Sequence, residues 1–83
     1  MAMIKNWGTT KYNSTEHSMW RNTLPQYKSF HQNFYVTVGR IGSTKDFFMS
    51  VVKEGREIRV NEYVNFKDAK ASAIRYMKAH PRG

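Results

Sequence analysis

Eighty-three residues with no cysteine, 14 Lys and Arg against 6 Asp and Glu, and a formal net charge of +8 define a short and strongly basic chain. That length suits one domain and excludes a second independent one; without cysteine, neither a disulfide framework nor a thiolate zinc site can supplement the core. Stability must then come from packing, to which a homodimer would add, and a field of this sign attracts polyanions.

Hydrophobic content of 40% argues against disorder, and 14% aromatic residues exceed what so small a core needs, so some rings are expected on the surface. Met1 to Ile4 is too short for a signal-peptide core, and no stretch approaches the roughly 20 apolar residues of a membrane span. The expectation is a cytoplasmic, intracellular protein without a membrane partner.

In chain order, residues 1–33 are rich in Asn, Ser, Thr, Gln and aromatics and sustain neither a period of 2 nor one of 3.6. They read as an irregular arm, with a short helical turn over Ser14 to Asn22 that Ser14 or Thr15 can cap and Leu24-Pro25 limits. Trp7, Tyr12, Trp20, Tyr27 and Phe30 either lie on the folded body or await a partner.

Residues 34–83 read as a β-β-β-α domain. Phe34 to Val38 is dense in β-branched and aromatic residues and ends at the turn-compatible Gly39-Arg40-Ile41-Gly42. Phe47 to Val52 forms the second strand and Glu57 to Val64 the third, joined through Lys53-Glu54-Gly55-Arg56, where Gly55 can take the positive φ of a tight hairpin. A two-residue loop at Glu54-Gly55 places Val51 opposite Ile58 and Met49 opposite Val60, with Ser50 and Phe48 facing Arg59 and Asn61; a one-residue change in loop length would reverse the faces. A helix follows from Phe66 to His80, with Asn65 as N-cap, Asp68 in its first turn, and Phe66, Ala69, Ala73, Met77 and His80 turned to the sheet. The fold class is therefore α+β: a three-stranded antiparallel sheet packed against one C-terminal helix and preceded by an irregular, aromatic-rich arm.

Catalytic patterns are lacking. Glu16 and His17 are adjacent and cannot face one another on a helix, His31 and His80 lie in unrelated segments, and no H-x-x-x-H or paired-carboxylate spacing occurs. No enzyme, metal or cofactor is expected, and Met49 and Met77 read as core.

The cations carry the functional reading. Arg40, Lys45, Lys53, Arg56 and Arg59 are candidates for holding phosphates, and Tyr35 and Tyr63, beside Phe48, for stacking on bases from an open sheet face that also carries Thr37 and Asn61. The bland alternative is a solvated strand face, or one covered by the arm with Trp7 or Trp20 as a lid. Lys67, Arg75 and Lys78 of the helix are the next candidates. Nucleic acid, DNA ahead of RNA, is the expected partner; the alternative is a small basic inhibitor or adaptor that binds an acidic protein surface or adds its sheet edge to another protein.

The run Val64-Asn65-Phe66-Lys67-Asp68-Ala69-Lys70-Ala71-Ser72-Ala73 and the hairpin before it resemble the plant ethylene-response-type DNA-binding domains and the arm-binding domains of phage and transposon integrases. That resemblance implies a sheet entering the major groove, with Arg40, Lys53, Arg56 and Arg59 at the DNA. The element order also resembles the β-β-β-α half of the double-stranded RNA-binding domain, with Lys67 and Lys70 near the helix start. In size and charge the chain is similar to small accessory proteins of bacteriophages, many of which inhibit a host enzyme.

Overall fold

The computed structural model describes residues 4–10, 16–24, 34–42 and 46–82. Its elements are β1 (Trp7–Thr9), β2 (Ser18–Asn22), β3 (Phe34–Arg40), β4 (Phe47–Lys53), β5 (Arg56–Tyr63) and α1 (Phe66–Ala79). The strands form one antiparallel sheet in the order β1-β2-β3-β4-β5.

Alternation along β3 sets the layers. Phe34, Val36 and Val38 are buried, and β4 places Val51 and Met49 directly across from Val36 and Val38. Against this stripe lies α1, through Ala69, Ala73 and Met77. Small residues at the first two positions let the helix approach the sheet closely, and Met77 fills the remaining gap. Its start is fixed as expected: the Asn65 side chain accepts a 2.8 Å hydrogen bond from the Asp68 backbone, and Asp68 and Lys78 complement the two ends of the helix dipole.

Among the described residues the sheet has five strands, which corrects the three-stranded expectation. Residues 7–9 and 18–22, expected to be irregular arm, are β1 and β2, and the turn of helix expected up to Asn22 is strand over Ser18–Asn22; Ser14 and Thr15 lie outside the described residues. The physical reason is tertiary. Trp20 and Trp7 are each only 4% exposed and join the core on the helix side, where Trp7 meets Phe34 edge-to-face at 5.3 Å. The two indoles therefore extend the core sideways instead of forming a lid over the opposite face. β1 is too short to show a period, and β2 buries every second residue but with the polar Ser18 and Asn22 among them, so no apolar alternation marks it; burying an indole contributes enough to hold each in place.

The β4–β5 hairpin corrects the expected register. Lys53 pairs with Arg56, so Glu54-Gly55 is the two-residue loop, with φ of 54° and 80° as a type I′ turn requires. A bulge follows at once: Val52 pairs with Glu57 but Val51 with Arg59, leaving Ile58 as the extra residue. Beyond it Met49 faces Asn61, Ser50 faces Val60 and Phe48 faces Glu62, instead of the Val51–Ile58 and Met49–Val60 pairs expected. Arg59 and Tyr63 consequently lie on the helix side, and long side chains with polar tips suit that margin because they cover apolar surface while their ends stay wet. The Tyr63 hydroxyl donates to Oγ of Ser72 on α1. Ile58 and Val60 are left 54% and 48% exposed.

Candidate nucleic-acid interface

Cross-strand partners point to the same side of a sheet, so Lys53 and Arg56 share a face. It is the helix-bearing face, because the Lys53 amine lies 5.8 Å from the ring centroid of the core residue Phe34. In a regular strand, Arg59 would point to the opposite side from Arg56, but the extra Ile58 restores it to theirs. There its guanidinium carbon stands 5.8 Å over the Tyr76 ring, while Nε donates to Oδ1 of Asn61 at 2.9 Å. The bulge is thus the device that gathers Lys53, Arg56 and Arg59 on one face at one end of the sheet.

The helix layer adds to this charge. Lys67, Arg75 and Lys78 are exposed on α1, Lys70 lies half-buried with its amine 5.8 Å from the Phe66 ring centroid, and Arg82 follows the helix. Asp68 is the acid on that helix. On the opposite face the balance reverses among the described residues: Arg21, 6.0 Å from the Tyr35 ring centroid, is accompanied by Glu57 and Glu62, which stand across from Val52 and Phe48. A polyanion approaching the sheet from that side meets two carboxylates on β5, whereas from the helix side it meets cations on both β5 and α1.

The remaining sequence candidates are not brought together. Arg40 lies at the other end of β3, opposite Phe47, and forms a 3.3 Å ion pair with Glu16; Lys45 falls outside the described residues. Tyr35 and Phe48 share the face opposite the helix, but Tyr63 is on the helix side and committed to Ser72, so the expected platform of Tyr35, Phe48 and Tyr63 beside Arg59 does not exist.

A different ring cluster does. Tyr76 and His80, one helical turn apart, stack at 4.1 Å with an interplanar angle of 18°, and Arg59 stands over the same tyrosine. The i, i+4 spacing of two rings near the end of a helix was the available sequence signal.

No protein-family model matches the chain, and no curated protein or solved structure is detectably similar to it. The order β3, β4, β5, α1 is the element order expected from the sequence, and β1 and β2 add two strands to it. Among the described residues, no cluster of three His, Cys, Asp or Glu side chains could hold a metal, and no helix is long and apolar enough to cross a membrane.

Proposed function

We propose that this chain is a non-catalytic nucleic-acid-binding module whose contact surface is the helix-bearing face at its β4–β5 end, formed by Lys53, Arg56 and Arg59 with Arg75, Lys78 and Arg82. The segregation of charge carries this reading: the cations of the hairpin and the helix stand on one side, and Glu57 and Glu62 stand on the other. A net charge of +8 alone would attract any polyanion in any orientation. Its uneven distribution gives a preferred side, as phosphate binding by several lysines and arginines at once requires.

The test is a titration of random-sequence DNA and RNA across a range of salt. Binding that weakens linearly in log affinity against log salt, by about 0.9 unit for each phosphate neutralised on duplex DNA, is expected. An absence of binding to either at low salt refutes the reading.

One observation favours a second reading. Among the described residues β5 is the margin of the sheet, and Ile58 and Val60 on it and Val64 just after it are 54%, 48% and 76% exposed. Such an edge suits the addition of a strand from a partner protein, the mode open to a small inhibitor or adaptor. Apolar and backbone contacts of that kind are weakly sensitive to salt, so the same titration with a candidate protein separates the two.

A further inference from the structure

The stacked Tyr76–His80 pair, with the Arg59 guanidinium beside Tyr76, suits a ligand with a flat ring. Each member is held independently of any ligand. Arg59 is fixed by its bond to Asn61, and Tyr76 is half-buried against the core. The His80 ring is fixed by Nδ1, which donates to the Tyr76 carbonyl oxygen at 2.9 Å, while the His80 backbone N–H caps the last turn through the Tyr76 and Met77 carbonyls. Its own carbonyl accepts from the Trp7 indole at 3.1 Å. One side of the imidazole is against Tyr76, and the residue as a whole is exposed. Lys78 and Arg82 flank it by two residues in the chain.

A preorganised ring ending a stack, set among cations, matches what an unpaired nucleotide offers: one base to stack and one phosphate beside it. A base pair inside a duplex already has neighbours on both sides and gains nothing from it. We infer that His80, backed by Tyr76 and Arg59, is a stacking site for an unpaired base, and that the nucleic acid bound by this chain is single-stranded where it crosses the end of α1. The inference rests on the nucleic-acid reading above and narrows it.

The experiment compares an oligothymidine with a random-sequence duplex of equal total charge, each titrated against the parent chain, His80→Ala and His80→Phe at several salt concentrations. Both substitutions should melt close to the parent, since the backbone bonds of residue 80 at the helix end are kept and the exposed Nδ1 bond that is lost contributes about 1 kcal/mol or less. The parent should prefer the single strand. His80→Ala should lower single-strand affinity by about tenfold, within the range measured for removing one stacked ring, and His80→Phe should restore it. The salt slope should be the same in all three, because every phosphate-binding cation is kept, and duplex affinity should not change. If His80→Ala binds the single strand like the parent, or loses single strand and duplex equally, the stacking site is refuted while the nucleic-acid reading survives. If the parent binds neither, both fall.

Discussion

The indole nitrogen of Trp7 donates to the carbonyl oxygen of His80 across 73 residues of chain. Beside it, the side-chain amides of Asn6 and Asn22 both donate to the Pro81 carbonyl, at 3.0 and 3.3 Å. The last carbonyls of a helix have no partner within the helix; here β1 and β2 supply donors just past that end. The two N-terminal strands therefore hold the helix by its C-terminus, and with it the ring of His80.

Trp7→Phe keeps a ring against Phe34 but loses the bond to His80. It should cost about 1 kcal/mol for the bond and somewhat more for the space left by the larger ring. Trp7→Ala should cost about 3–5 kcal/mol, a large share of the roughly 5–15 kcal/mol available to a domain. Urea unfolding monitored by far-ultraviolet circular dichroism checks both. A Trp7→Ala midpoint equal to that of the parent would mean that β1 does not anchor the helix.

The bulge gives a prediction about chain length. Ile58 is the extra residue of β5 and is more than half exposed, at 54%. Its deletion lets Val51 and Arg59 remain partners in a regular hairpin, so Arg59, Asn61 and Tyr63 keep their side of the sheet. The deletion should change stability by no more than about 1 kcal/mol, the scale of exposed changes that leave the core alone. Deleting Val60 instead either slips Asn61 and Tyr63 to the wrong face and breaks the bond to Ser72 or uses up the bulge and turns Arg59 away from Tyr76, so it should cost more than the deletion of Ile58. Equal melting temperatures for the two deletions would contradict the register.

The turn itself is not optimal. Glu54 holds a φ of 54°, a left-handed conformation that Asn and Gly adopt more readily. Glu54→Asn should stabilise the chain by roughly 0.5–1 kcal/mol, seen as a higher thermal midpoint, since the exposed Glu54 side chain contributes little to hold the loop. A lower midpoint would place a stabilising role on the carboxylate.

What was legible in the sequence follows from the range of the forces involved. β3, β4 and α1 were readable because Phe34 to Val38, Phe47 to Val52 and Asn65 to Ala79 each carry their own propensity, period or cap. The two-residue loop was readable because Gly55 marks it. β1 and β2 were not, since Trp7-Gly8-Thr9 and Ser18-Met19-Trp20-Arg21-Asn22 become strands only by pairing with β3 and sharing its core. Of the candidate site, the hairpin cations were legible but the face of Arg59 was not, nor was that of Tyr63. A one-residue bulge carries no compositional mark, yet it reverses every side chain beyond it.

The decisive prediction concerns the face on which the charge acts. Lys53, Arg56 and Arg59 lie on the helix-bearing side, with Arg56 and Arg59 along one strand that advances ~3.3 Å per residue, a separation comparable with that of neighbouring phosphates. Replacing all three by Ser should leave the domain folded at a cost of about 2 kcal/mol or less, because Arg56 is exposed and the two cation–ring contacts, Lys53 with Phe34 and Arg59 with Tyr76, contribute about 1 kcal/mol or less each. Affinity for nucleic acid should fall, and the slope of log affinity against log salt should shrink by roughly two to three units, about one for each phosphate no longer neutralised. Arg21→Ser removes a cation from the other face, beside Tyr35; it should leave that slope as it was. A slope that drops for Arg21→Ser and holds for the triple variant would assign binding to the face opposite the helix, against the carboxylates of Glu57 and Glu62.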